Sequence, residues 1–169
     1  MHSAIAIRIA APGRAVHELA RPVERWPALL PHYRSVTVRH REGDRLEARM
    51  VAVRRFGPLP VPVRWGALCW SEDEDPADLR LRFRHTWGVT RGMEVTWHIR
   101  PDGDGCHVTI EHDFRRPLPL LGDRALPRVV DRWFTRHVAS RTLRRFKALA
   151  EAAAPVPTSG TDAATKGPP

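Results

Sequence analysis

Three stretches in the middle of the chain alternate apolar and polar residues almost without error, and that period constrains the fold more than any other feature. Leu79, Leu81, Phe83, His85 and Trp87 alternate with Arg80, Arg82 and Arg84. Met93, Val95, Trp97 and Ile99 alternate with Glu94, Thr96 and His98, and Cys106, Val108, Ile110, His112 and Phe114 with His107, Thr109, Glu111 and Asp113. A period of two sends successive side chains to opposite faces of a strand. Strands with one greasy and one wet face belong to an antiparallel sheet that covers a core on one side only. The stretch 101–105, Pro-Asp-Gly-Asp-Gly, supplies a hairpin turn between the last two.

Four further runs share the period. Residues 3–11 align Ile5, Ile7 and Ile9, residues 35–41 align Val36 and Val38, and residues 45–53 align Leu46, Ala48, Met50 and Ala52. Residues 61–69 align Val61, Val63, Trp65, Ala67 and Cys69. Between the first and second of these runs, Pro12-Gly13 starts a short helix with Val16 and Leu19 inward, and Val23, Trp26, Leu29 and Leu30 form another that ends before Pro31. The proline-rich apolar stretches 56–60 and 117–122 read as loops at the sheet rim, because proline cannot donate to a central ladder.

After Gly122 the period becomes helical. Val129, Val130, Trp133, Phe134, His137, Val138, Leu143, Phe146, Leu149 and Ala150 recur at steps of three and four up to Ala153, from a start at Asp123 or after Pro127. The expected fold is α+β: a seven-stranded antiparallel curved sheet wrapped around a long C-terminal helix, with two short helices after strand 1. Residues 1–153 form this domain and 154–169, rich in Pro, Gly, Ser and Thr, a disordered tail.

Composition narrows function by exclusion. No apolar run is long enough to span a bilayer. Two cysteines, Cys69 and Cys106, are too few for a disulfide scaffold and point to a reduced, cytoplasmic protein. Neither CxxC nor HExxH spacing occurs, so no metal is expected, and the absence of glycine-rich phosphate loops argues for no cofactor. The net charge of +9 is carried mostly by arginine, with Arg124, Arg128, Arg132, Arg136, Arg141, Arg144, Arg145 and Lys147 in the helical segment. Such a face is either simply solvated or docks an acidic acyl-carrier protein or an anionic membrane surface. Nucleic acid is not expected, since no exposed aromatics interleave with the bases.

The order of elements, with Ile9-Ala10-Ala11-Pro12, Trp26-Pro27-Ala28-Leu29-Leu30-Pro31, Gly92-Met93-Glu94-Val95-Thr96-Trp97 and Val108-Thr109-Ile110-Glu111-His112-Asp113-Phe114, resembles the SRPBCC or START-like superfamily and its helix-grip fold. Within it the chain looks most like bacterial polyketide cyclase/aromatase and coenzyme Q-binding proteins. The resemblance implies a cavity between sheet and helix for a hydrophobic small molecule: a polyketide, a quinone or a lipid. It implies either a cyclase/aromatase (dehydratase) or a non-catalytic coenzyme Q/lipid carrier or chaperone.

The candidate catalytic residues are His112 and His85, both on apolar faces, where a neutral imidazole can donate one hydrogen bond and accept another. A core histidine satisfied by backbone or water would show the same pattern. Met50, Trp65, Cys69, Phe83, Met93, Trp97 and Phe114 on the sheet, and Trp133 on the helix, are the candidate ligand contacts; aromatics also fill such cores by default. One departure stands out. Similar aromatase/cyclases carry an inward arginine four residues after a tryptophan like Trp65. Here that position is Cys69, Arg64 should face outward, and Arg54 on the neighbouring strand is the nearest substitute.

Overall fold

The computed structural model describes residues 2–56, 58–88, 90–114 and 136–154. The elements run β1 (His2–Ile9), α1 (Gly13–Ala20), a 3-10 turn (Val23–Arg25), α2 (Trp26–Leu29), β2 (Tyr33–Glu42), β3 (Arg45–Phe56), β4 (Leu59–Glu72), β5 (Leu79–Gly88), β6 (Met93–Asp102), β7 (Gly105–Phe114) and α3 (Arg136–Ala153). All seven strands form one sheet in the order β1-β7-β6-β5-β4-β3-β2, and every neighbouring pair is antiparallel. Consecutive strands pair as hairpins from β2 onward. The helices after β1 break that rule and send β1 to the far edge, beside β7.

This is the expected helix-grip architecture. The apolar alternation becomes a buried face: Leu79, Leu81 and Phe83 on β5, Met93, Val95, Trp97 and Ile99 on β6, and Cys106, Val108, Ile110 and Phe114 on β7 are each no more than 7% exposed. α3 covers this face with Val138, Leu143, Phe146 and Ala150, joined by Ala139 and Thr142. Its last turns are bolted down by polar contacts. The Ala10 N–H donates to Glu151 Oε1 at 2.8 Å, Lys147 Nζ donates to the Arg8 carbonyl at 2.8 Å, and Arg145 Nε donates to the Leu29 carbonyl at 3.0 Å.

Register shifts bend the sheet. β2 carries extra residues between Tyr33 and Ser35 and between Val38 and His40, and β5 carries Thr86 between the pairs Gly66–Trp87 and Ala67–His85. Each such bulge increases local twist. The one in β5 overturns an expectation: it reverses the alternation, so Trp87 points outward and is 46% exposed, under the Arg49 guanidinium at 4.4 Å. Two glycines make room for it. A Cβ on Gly66 would meet Thr86 Oγ1 at 3.0 Å, and one on Gly88, whose φ is +89°, would lie 2.5 Å from the Arg64 carbonyl oxygen.

Other expectations shift as well. The proline-rich segment is not a loop: Leu59, Pro60, Val61 and Pro62 extend β4 as partners of β3. Prolines fit there because β4 gains its β5 partner only from Trp65 onward, leaving one side of the strand without a ladder. His137 is exposed rather than inward, and His17, not anticipated, is buried on α1 with Nε2 2.7 Å from Ser71 Oγ. The second apolar stretch (117–122), the expected helix start, Trp133 and the tail from 155 onward lie outside the described residues.

Much of the arginine excess is spent on the wet face of the sheet. Arg45 and Arg82 lie over the Trp70 ring, Arg84 pairs with Glu94, and Arg80 and Arg100 pair with Asp78. Burial alone would push the Asp78 carboxyl up, but hydrogen bonds from Arg80, His98 and Arg100 outweigh it and hold the group below the usual carboxylate range. No helix among the described residues is long and apolar enough to cross a membrane, and none of their His, Cys, Asp and Glu side chains gather in threes as a metal site would require.

Candidate functional site

Between the concave face and α3 lies a cavity of about 60 Å³, walled by Trp26, Tyr33, Trp65, Phe83 and Trp97, with Met50, Met93, Val95 and Ile110 from the sheet and Val138, Ala139 and Thr142 from α3. Two imidazoles complete the wall, His85 from β5 and His112 from β7. They come from different strands, with β6 between them and Val95 paired to His112. Seven of the ten candidate residues therefore meet in one place: His112, His85, Met50, Trp65, Phe83, Met93 and Trp97.

Two others do not. Phe114 is buried at 1% but does not line the cavity. Cys69 is four residues along β4 from Trp65, about 13 Å at strand rise. It sits instead beneath the 3-10 turn, in an outer hollow of about 310 Å³ shared with Leu46, Ser71 and Leu81. Burial pushes its thiol up to about 12, so it stays protonated and is no nucleophile. Trp133 falls outside the described residues. Arg54 lies on the inward side of β3, with Nε and Nη1 shielded from solvent, yet it does not line the cavity either, and Arg64 is exposed.

Trp26 is the hub of the aromatic wall. Its ring centroid lies 5.1 Å from Tyr33, 5.7 Å from Phe83, 5.9 Å from Trp97 and 6.0 Å from Phe146, and its Nε1–H donates to the Ala20 carbonyl at 2.8 Å. Edge and tilted contacts of this kind add to area burial. Trp26→Phe keeps a ring but loses that buried hydrogen bond and some packing. A loss of about 1–2 kcal/mol is expected, read from the denaturant midpoint; an unchanged midpoint would contradict the hub.

The polar wall is selective in its chemistry. His85 Nδ1 lies 2.7 Å from the Thr90 hydroxyl oxygen, and its ring stacks on Trp65 at 6.0 Å with 26° between planes. Burial, with the nearby His112 charge, pushes the His85 imidazole down to about 3, so it is neutral at ordinary pH. His112 has Nδ1 shielded from solvent. Behind the wall, His32 Nε2 is 3.0 Å from Thr142 Oγ1, and burial followed by the Arg141 and His137 charges lowers His32 to about 4. Burial raises the Tyr33 phenol far above its ordinary value, keeping it neutral.

Trp26, Tyr33, Thr90 and Thr142 were not among the sequence candidates. Thr142 was findable: it is four residues from both Val138 and Phe146, on their helical stripe. Thr90 sits in a turn and carries no periodic signal.

The family described as polyketide cyclase/dehydrase and lipid transport matches residues 2–151. The actinorhodin polyketide synthase bifunctional cyclase/dehydratase of Streptomyces coelicolor is 32% identical over 125 residues, covering 72% of this chain and 35% of the relative. The chain thus spans about a third of that relative's length. A solved protein of Thermus thermophilus, TTHA0849, superposes with a TM-score of 0.73 and 26% identity over 92% of this chain and 100% of the other. The Zhui aromatase/cyclase of Streptomyces sp. R1128 shares the fold, with a TM-score of 0.65 and 18% identity over 92% of this chain and 99% of its own.

Proposed function

Because the chain belongs to the polyketide cyclase/dehydrase and lipid transport family, we propose that it binds a polyketide-type ligand in the aromatic cavity and promotes ring closure and dehydration there, with His112 as the acid–base group. The observation that carries this reading is the pair of imidazoles set in a largely apolar, aromatic-rich wall. Aldol closure removes a proton from an activated methylene, joins that carbon to a carbonyl carbon and protonates the resulting alkoxide. Dehydration then removes a further proton and expels hydroxide as water. An imidazole can both take up and give back a proton, so one at this position can serve both directions of transfer. The neutral His85 suits a different task, a hydrogen bond to a carbonyl oxygen, and the flat rings of Trp65 and Trp97 suit a planar product.

The cavity is closed down in this conformation. At about 60 Å³ it is well below the roughly 300–1,000 Å³ of drug-sized ligand sites, so a folded polyketide enters only as wall rings move aside. Delivery by an acidic acyl-carrier partner fits Arg141 and Arg144, which are exposed on α3 and have no carboxylate partner among the described residues. Arg145 and Lys147 are already engaged with the fold.

The test is incubation with a linear poly-β-keto thioester generated in place by a minimal polyketide synthase. Addition of the protein should shift a mixture of spontaneous cyclisation products toward one dehydrated, singly cyclised regiochemistry. An identical product mixture with and without the protein would refute catalysis.

A second reading, a non-catalytic quinone or lipid carrier, draws on the same wall, because His85 works as a carbonyl anchor without any proton transfer. Native mass spectrometry separates the two. A near-stoichiometric quinone or lipid retained through purification supports the carrier, whereas an empty protein that cyclises the thioester supports the enzyme.

A further inference from the structure

We propose that Thr90 is a positioning residue that holds His85 as the Nε2–H tautomer, so that the cavity wall offers one fixed donor and selects a ligand presenting an acceptor oxygen, a ketone or quinone carbonyl, at that point. The proposal rests on the cavity being the ligand site, and it follows from counting protons. The Thr90 side chain is fully buried in the turn between β5 and β6, and its hydroxyl contacts His85 Nδ1 at 2.7 Å. No other hydrogen bond of that hydroxyl occurs among the described residues.

Two arrangements of a neutral ring are open. In one, Nδ1–H donates to Thr90 Oγ1, and the hydroxyl proton is then stranded in a dry turn. In the other, the hydroxyl donates to Nδ1, and the ring proton sits on Nε2. Nε2 makes no hydrogen bond among the described residues and is not one of their buried unpaired atoms, and His85 lines the cavity while Thr90 does not, so this nitrogen is reachable from the cavity. A stranded buried donor disfavours its state by about five-fold or more, whereas an Nε2–H open to the cavity finds water or a ligand oxygen. The second arrangement prevails.

The turn is built to keep this geometry. The Gly92 N–H donates to the His85 carbonyl at 2.8 Å, the Arg91 N–H to the Gly88 carbonyl at 3.1 Å and the Met93 N–H to the Thr90 carbonyl at 2.9 Å. These three bonds fix Thr90 relative to the strand that bears His85. The Trp65 ring against the other side fixes the plane of the imidazole. A preoriented donor of this kind discriminates by what it leaves unpaired: an apolar analogue lacking the oxygen strands Nε2–H in the cavity.

The experiment is side-chain ¹⁵N spectroscopy of histidine-labelled, ligand-free protein. The wild type should show His85 as a single Nε2–H tautomer. Thr90→Val should mix the tautomers or reverse them, and Thr90→Ser, which restores the hydroxyl, should return the wild-type signature. An Nδ1–H tautomer in the wild type, or a Thr90→Val spectrum identical to it, overturns the proposal. Where Thr90→Val does not fold, the wild-type spectrum decides alone. Titration with acetone, an acceptor without a donor and small enough for the cavity as it stands, should move the His85 Nε2–H signal; no movement at any concentration overturns the carbonyl selectivity. Both readouts are independent of turnover, so a protein that fails to cyclise polyketides can still pass them, and one that cyclises them can still fail.

Discussion

His112→Gln is expected to fold, to bind ligand with little change and to lose about 10²–10⁴-fold in kcat for the cyclisation proposed above, the range typical of a removed acid–base group. Glutamine keeps hydrogen-bonding atoms at the position but cannot pass a proton, so the loss should fall on kcat with KM nearly unchanged. His112 has no substitute in the wall. His85 is lowered to about 3 and is neither charged nor strongly basic near neutrality, the Tyr33 phenol is held neutral by burial, and the Cys69 thiol is both remote and raised to about 12. The register explains why His112 is placed so firmly: it pairs with Ser3 of β1 on one side and Val95 of β6 on the other, in the interior of the sheet. Steady-state kinetics on the thioester checks this, and a kcat within about three-fold of wild type would remove His112 from the chemistry.

The sheet was legible because its pattern is redundant. Residues 79–114 bury one face over three successive strands, and a slip by one residue would have turned every apolar side chain into water. That same logic put His85 and His112 inside. What could not be read were features set by pairs of residues distant in sequence. Trp87 continues the apolar alternation of the sequence yet faces out, because Gly66 and Gly88 let β4 and β5 close around an extra residue. Cys69 shares a face with Trp65, but facing the core is not the same as reaching the cavity; about 13 Å of strand and the overlying 3-10 turn separate the two.

The residues missed at the cavity and just behind it were hidden by their local context. Trp26 opens a short helix and Tyr33 follows it at the start of β2, and Thr90 and Thr142 are small polar residues that hydropathy patterns treat as noise. The two threonines are nonetheless the residues that contact buried imidazoles, Thr90 at His85 and Thr142 at His32. The departure at Cys69 has a plain consequence as well. Without an arginine at that position, and with Arg54 off the lining, no arginine or lysine among the described residues lines the cavity.

Acidification should destabilise this fold unusually early, by about 4 kcal/mol between pH 7 and pH 5. The sign follows from proton counting. His32 and His85 are lowered by burial to about 4 and about 3, whereas in the unfolded chain each titrates near 6.5. Between those values the unfolded state binds more protons than the native state, so stability falls as pH falls. Each histidine contributes about 2 kcal/mol of that loss by pH 5, and His17, also lowered by burial, acts in the same direction. The Asp78 carboxyl adds to it only further down, below the ordinary carboxylate range. The loss should begin near pH 6.5, steepen through pH 5 and flatten as His32 and then His85 take up protons in the native state. Urea unfolding at pH 7 and pH 5 measures it directly, and a difference below about 1 kcal/mol would mean that these rings are not buried neutral. The outcome bears on the site as much as on stability, because a His85 that charges readily could not serve as the fixed neutral donor that its contact with Thr90 implies.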